Sequence, residues 1–335
     1  MSFERDIDFA RPRLLHCNKC GHQDEFSHPW IDLWEQGKQG CPSCGITSDH
    51  PLRATYTYSP SDLAVDNTLI STLHWYHTTT HENWPNPNFD PLTTLTQESQ
   101  ERMELMCGKG ASARWARKQK LKALHVGTFE AAIENMLRRI QNQPAPQSQY
   151  YLYRVHLCSS NKVVEGINCE PTNFTGDAYL PDLGLKPSAA YRYVNVHEDP
   201  GSISLALGIE SIESVQKLAL PLLPPTSSES QEIERALDAA ELESPVEIKD
   251  IFSKYRRTPN FTDPYALMAD AQWNKLALQL PDRLQRPFQG ALDLKLKGSG
   301  NDAVSRHMIG MSDITLKPEK ILQALETIAA KKIEL

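Results

Sequence analysis

Two cysteine pairs carry the most specific chemistry in this chain. Cys17-Asn-Lys-Cys20-Gly21 and Cys41-Pro-Ser-Cys44-Gly45 are separated by 20 residues. A C-x2-C turn aims two thiolates at one metal, and the glycine behind it lets the backbone curl beneath the sulfurs. Two such turns complete a tetrahedral set with no position left for water or substrate. Cys17, Cys20, Cys41 and Cys44 are therefore predicted to hold one structural Zn²⁺. A closed four-thiolate site folds a small domain and does no chemistry of its own. His16, His22 and His28 stand by as spare donors. A redox role for either pair requires a thioredoxin-like βαβ context, which the flanking sequence lacks. Asp24, Glu25, Asp32 and Glu35 make the intervening segment too acidic to favour DNA.

Three further pieces, in fixed order, have residue types suited to binding or catalysis. The first is Trp75-Tyr76-His77-Thr78-Thr79. The second is Leu124-His125-Val126-Gly127-Thr128-Phe129-Glu130-Ala131-Ala132, with Arg138 and Tyr151-Leu152-Tyr153-Arg154-Val155 behind it. The third is Tyr193-Val194-Asn195-Val196-His197-Glu198-Asp199-Pro200-Gly201-Ser202-Ile203-Ser204. Each also has a plainer reading. His74, His77 and His81 have spacings that fit one face of a helix, but the threonines and aromatics around them favour a strand, where residues three apart face opposite ways. A metal site there is disfavoured, which leaves a ligand-contacting or a merely structural His77. Glu198 fits a turn before Pro200-Gly201, and Thr128 fits the N-cap of the helix that follows it.

Taken together, the three pieces resemble the ADP-ribosyltransferase superfamily, in particular a branch found in phage and bacterial effector proteins. In that branch a Tyr-His-x-Thr strand precedes a His-x-Gly-Thr-x-x-Ala helix start and a Tyr-x-Asn-x-x-Glu-x-x-Gly-Ser-x-Ser strand pair. The likeness covers residues 70–215 and leaves out the cysteine module and the C-terminal third. It implies a split β-sandwich that binds NAD⁺ between two small sheets and breaks its nicotinamide–ribose bond. Glu198 would be the catalytic glutamate, with His125 and Asn195 beside it. His77, Thr78, Thr128 and Tyr193 would contact the dinucleotide, His77 at the adenosine-side ribose and Thr78 through its backbone at the nicotinamide amide. The partners implied are NAD⁺ and a macromolecular acceptor, protein or nucleic acid. Water as acceptor would make the chain an NAD⁺ glycohydrolase. Arginine-directed members carry a second acid two residues before the catalytic glutamate; Val196 stands there, which points away from arginine as acceptor. From a different class, the chain would be a non-catalytic zinc-ribbon adaptor that binds protein or nucleic acid.

These residues need elements to hold them. β-branched and aromatic runs predict strands over 53–58, 73–79, 122–127, 150–158, 191–196 and 202–209, with a turn at Pro200-Gly201. Helices are predicted over 98–107, 111–120 and 129–140, the last with Ala132, Ile133, Met136, Leu137 and Ile140 on one face. Beyond Leu223, Pro224-Pro225-Thr226-Ser227-Ser228 resembles a linker. An acidic helix over 231–242 and a mainly helical tail, ending in a helix over 318–330, follow. The expected organisation is α+β, with a zinc ribbon over 1–60, an ADP-ribosyltransferase-like NAD-binding domain over 67–223 and a helical region over 224–335.

Bulk properties bound the function classes. A length of 335 residues suits two or three domains. No apolar run reaches the roughly 18–20 residues of a membrane span, so no membrane partner is expected. The charged N-terminus lacks a signal-peptide core, so the expected compartment is the cytoplasm, where thiols stay reduced or bind metal. The sequons at Asn173 and Asn260 are then chance matches. Forty-two acids against 35 Lys and Arg leave a net charge of −7, which argues against indiscriminate nucleic-acid binding. Residues 109–122 run the other way, with Lys109, Arg114, Arg117, Lys118, Lys120 and Lys122 and no acid. A solvated helix face is the plain reading, and contact with a pyrophosphate or a nucleic acid is the functional one.

Overall fold

The computed structural model describes residues 3–142, 149–171, 177–243, 263–292 and 294–334, and forms a mixed α+β fold. Asn173, Asn260 and the 246–262 part of the expected helical tail lie outside the described residues. The N-terminal module is a three-stranded antiparallel sheet in the order β2-β1-β3: β1 (Arg13–Cys17), β2 (Gln23–Phe26) and β3 (Ala54–Tyr56). Helix α1 (His28–Glu35) lies between the two cysteine pairs, an element the acidic pattern there did not suggest. Its Ile31 and Trp34 are buried against Leu15, Phe26 and Ile46, and Trp30 stacks on Phe26 at 3.9 Å.

The middle of the chain builds two four-stranded sheets. One runs β11-β10-β6-β4 and the other β5-β9-β8-β7. The first comprises β4 (Trp75–Thr79), β6 (Tyr150–Leu157), β10 (Ile212–Leu220) and β11 (Lys331–Lys332). The second comprises β5 (Leu124–Val126), β7 (Lys162–Val163), β8 (Ala189–Val194) and β9 (Ile203–Leu207). They share one apolar layer, in which Trp75, Tyr153, Val155, Leu157 and Val215 of the first meet Val126, Ala190, Ile203, Leu205 and Leu207 of the second. A two-way backbone bridge, Tyr76 to Gly127, joins the sheets where β4 and β5 meet (2.9 and 3.0 Å). Beyond it the strands diverge.

The first sheet is buried on both faces. Alternate residues point to opposite sides; Leu152, Leu218 and Leu220 enter a second core, shared with α4 (Phe129–Asn142) and the C-terminal helices. Those are α5 (Ser228–Glu243), α6 (Pro264–Ala277), α7 (Asp282–Gln289), α8 (Asn301–Leu316) and α9 (Pro318–Glu326). Two more helices, α2 (Gln97–Cys107) and α3 (Ala111–Gln119), form a pair at the periphery. Glu104 fastens them by accepting from the backbone N–H groups of Gly110 (2.5 Å) and Ser112 (2.9 Å) at the start of α3.

The last helix is shorter than its sequence suggests, and the cause is tertiary. The Gln216 side chain on β10 donates to the carbonyls of Leu325 (2.8 Å) and Ile328 (2.6 Å). Its own oxygen is held by Arg154 Nε at 2.7 Å. These bonds satisfy carbonyls that a longer helix would pair internally. The chain then turns back to the sheet as β11, antiparallel to β10.

Candidate active site and metal centre

Each cysteine pair forms the same tight knuckle. Gly21 N–H donates to Cys17 O (2.9 Å) and Gly45 N–H to Cys41 O (2.8 Å), with both glycines left-handed at φ +74° and +75°. A side chain at φ near +75° is strained, which is why glycine stands there. All four Sγ atoms lie within 4.8 Å of one another, with Cys17–Cys44 and Cys20–Cys41 at 3.7 Å. Four thiolates bonded tetrahedrally at about 2.3 Å would stand about 3.8 Å apart, so spacing and donor set fit a zinc ion. The backbone N–H of His22 aims at Cys20 and draws its thiol down to about 6. Among the described residues no second cluster of this kind occurs. His74 is instead bonded to Glu4 (3.0 Å) and does not converge with His77 and His81.

A cleft of about 700 Å³ opens where β4 and β5 part. In place of the next ladder bond, the His77 ring on β4 donates from Nδ1 to the backbone carbonyl of His125 on β5 (2.8 Å). That bond fixes the tautomer, because a carbonyl only accepts. His77 Nε2 is then a lone-pair acceptor. Trp84 stacks on the same ring at 4.2 Å and holds its plane. Burial drives the His77 imidazole down to about 3, so it is neutral at physiological pH. With the folded value below the unfolded 6.5, the unfolded chain binds the extra proton between those values, and stability rises with pH across that window. The melting temperature is expected to fall as pH drops from about 6.5 toward 3, less steeply in His77→Gln; parallel profiles would refute this assignment.

The opposite wall is the loop that joins β8 to β9. Its fold is dictated by Asn195, which is buried: Oδ1 accepts from the backbone N–H groups of His197 (3.0 Å) and Glu198 (2.9 Å). Gly201, at φ +83°, closes the turn with its N–H on Asn195 O (2.8 Å). A Cβ on Gly201 would lie 2.9 Å from Thr57 O. The Glu198 carboxylate then faces the cleft, paired with Arg138 and accepting from Asn135 Nδ2 at 3.0 Å, both on α4.

Asp199 points the other way and is wholly buried. It is ion-paired with Arg11 and Arg13, each at 2.8 Å, and accepts from Thr128 Oγ1 at 2.9 Å. The two guanidiniums hold its carboxyl below the usual range against a large burial cost. Arg283 of α7 adds a third cation, donating to Glu198 O (2.7 Å) and pairing with Glu134 (2.8 Å). The N-terminal strand, α4 and α7 thus grip the same loop.

Of the residues singled out from sequence, His77, Thr78, His125, Tyr193, Asn195 and Glu198 line this one cleft. Thr128 does not. Its hydroxyl accepts from Ala131 N–H (3.0 Å) as the cap of α4 and donates to Asp199. The Thr78 hydroxyl donates to Ala132 O (2.6 Å), and the residue is buried. No residue of the basic segment 109–122 lines the cleft; its cations are Arg138 and Arg139. Sequence reasoning passed over Asn135, Arg139 and Glu170, which also line it, and gave no role to Ser204, the last residue of the third piece. The one available signal was the i, i+3, i+4 spacing of Asn135, Arg138 and Arg139 on the polar side of a helix whose apolar side was already legible.

Comparison of the chain with protein-family models, with curated proteins and with solved structures returns no match.

Proposed function

We propose that this cleft binds NAD⁺ and breaks its nicotinamide–ribose bond, transferring ADP-ribose to a macromolecular acceptor. The observation that carries the reading is one groove between two sheets in which a fixed carboxylate, Glu198, shares the space with a neutral imidazole acceptor, His77, and two arginines. Breaking the C1′–N bond sends the electron pair to nicotinamide, which leaves neutral, and builds positive charge on the ribose. A carboxylate held by the Asn135 and Arg138 side chains, on a loop fixed by Asn195, stabilises that charge without having to reorganise. No general acid is needed, because the leaving group already carries its charge. The acceptor's lone pair then forms the new bond to C1′, and its proton passes to solvent.

The remaining roles follow from the donors present. His77 Nε2 accepts from a ribose hydroxyl, the Thr78 main chain contacts the nicotinamide amide, and Arg138 and Arg139 face the negative pyrophosphate. Zn²⁺ in the four-thiolate site supplies folding free energy only. Incubation of the metal-loaded chain with NAD⁺ labelled in its adenylate half tests the reading. Free nicotinamide should appear, with label on protein or nucleic acid. Label found only in free ADP-ribose would make the chain a glycohydrolase, and an absence of free nicotinamide would leave a zinc-ribbon adaptor.

A further inference from the structure

Exposed cations collect on one side of the cleft. Lys109, Arg114, Arg117, Lys118 and Lys120 stand on α3 or at its ends, and all five are exposed. Among the described residues none of the five is ion-paired, whereas Lys122 pairs with Asp177 at 2.7 Å. Helix α3 contains no acid, and Glu104, the acid of α2 that is bonded to it, is taken up by the N–H groups of Gly110 and Ser112. Arg114, Arg117 and Lys118 are spaced i, i+3 and i+4, so they share a helix face. Arg114 is braced by donating to the carbonyls of Lys109 (2.9 Å) and Cys107 (3.1 Å). The Lys118 ammonium lies over the Tyr179 ring at 4.6 Å. This row of positive charge stands on a chain whose net charge is −7. It also leads into the cleft wall. Past α3, Leu121 O accepts from Leu180 N–H (2.9 Å) and Ala123 N–H donates to Ala178 O (2.8 Å). The chain then enters β5, whose His125 lines the cleft, as does Asp177, the partner of Lys122. Lys122 is three residues from His125, at most about 10–11 Å along the chain.

We infer that the basic face of α3 docks a single-stranded nucleic acid and leads an unpaired nucleotide to the cleft as the acceptor of ADP-ribose. The acceptor role rests on the NAD⁺ reading; the docking does not. A row of cations along one helix and the segment after it matches a linear polyanion with a phosphate at every nucleotide. The surface of a folded protein intersperses both signs and matches such a row less well. A duplex carries the same phosphates but keeps its bases stacked inside, out of reach of a groove between two sheets. Trp115, partly exposed on the same helix, gives an unpaired base a surface to stack on. In the transfer, a lone pair on a base nitrogen or sugar hydroxyl forms the bond to C1′ as the C1′–N bond to nicotinamide breaks. Nicotinamide keeps that electron pair, and the proton of the nucleophile passes to solvent.

Docking can be measured without any turnover, from the anisotropy of a short fluorescent single strand titrated with the full metal-loaded chain at rising salt. With one phosphate for each of the five cations, the logarithm of the binding constant should fall against the logarithm of salt with a slope of about −3 to −4. Lys109, Arg117 and Lys120 have side chains that make no hydrogen bond or ion pair among the described residues. Replacing all three by Gln should bring the slope to about −1 to −2. Thermal melts report that the fold survives. Lys331→Gln with Lys332→Gln, an exposed pair on β11, lowers the net charge in the same direction and should leave the slope alone. A wild-type slope near zero, or equal changes in the two variants, overturns the docking surface. With NAD⁺ labelled in its adenylate half, label should pass to the single strand and not to its duplex, and should drop about tenfold in the triple variant. Nicotinamide released with label on protein alone overturns the nucleic-acid acceptor. The expected slopes with no nicotinamide released would uphold the docking and sink the dinucleotide reading alone.

Discussion

Asp199→Ala should destabilise the chain by about 3–5 kcal/mol, the cost of leaving a buried charge unpaired. Asp199 and its partner Arg13 are both completely inaccessible, and Arg11 is mostly covered. Removing the carboxylate strands Arg13 in a site whose burial already disfavours its charge. It also takes the acceptor from Thr128, which caps α4. Urea unfolding of the wild-type and variant chains, followed by tryptophan fluorescence, measures the difference. Adding Arg13→Met to Asp199→Ala should recover part of the loss, since an apolar side chain of similar length needs no counterion. A midpoint unmoved by Asp199→Ala would show that the Asp199–arginine pair holds nothing together.

Cys41→Ser, or removal of the metal by a strong chelator, should have a larger and more local effect. Structural zinc contributes apparent binding free energies of about 10–16 kcal/mol in small zinc-finger peptides. The module around these cysteines has a core of only a few side chains, chiefly Leu15, Phe26, Ile31, Trp34 and Ile46. Without the ion it cannot offset the entropy of ordering two knuckles and a helix. The purified chain should contain one zinc per polypeptide, and Cys41→Ser should contain little or none. Amide protection across residues 13–56 should collapse, while β6, buried on both faces, keeps its protection. Arg13 lies on β1, so protection of the 195–201 loop should fall as well. Intact protection of β1 in metal-free protein would mean that the four thiols are not a folding nucleus.

How far the sequence discloses this molecule depends on the range of the interactions concerned. The knuckles are legible because ligands and glycine lie within five residues, and their geometry needs nothing from elsewhere. Helix α4 and strands β6, β8 and β9 are legible because their apolar periodicity records burial directly. Strand β10 reads less clearly, because Glu213, Gln216 and Lys217 interrupt its apolar pattern, and Gln216 is buried only because α9 needs its amide. Helix α9 stops early for the same reason. Asp199 is hidden by its neighbours: in Glu198-Asp199-Pro200-Gly201 either acid reads as a turn residue, and the arginines that bury one of them come from the far N-terminal end of the chain. Nor does Thr128 reveal its partners, since a cap and a ligand contact require the same hydroxyl. The side chains lining the cleft sit at the divergence of two strands, a feature of pairing that no local pattern encodes.

Release of nicotinamide from NAD⁺ by the wild-type chain and by Glu198→Gln, compared at equal dinucleotide occupancy, bears most directly on the proposed chemistry. The substitution keeps size and one acceptor oxygen for Asn135 and Arg138 and removes the negative charge. Wild-type protein should release nicotinamide, and Glu198→Gln should do so about 10²–10³-fold more slowly, the usual cost of removing one preorganised electrostatic group, with NAD⁺ affinity little changed. Equal rates in the two proteins, or a wild-type chain that binds NAD⁺ and leaves it whole, would contradict a catalytic Glu198.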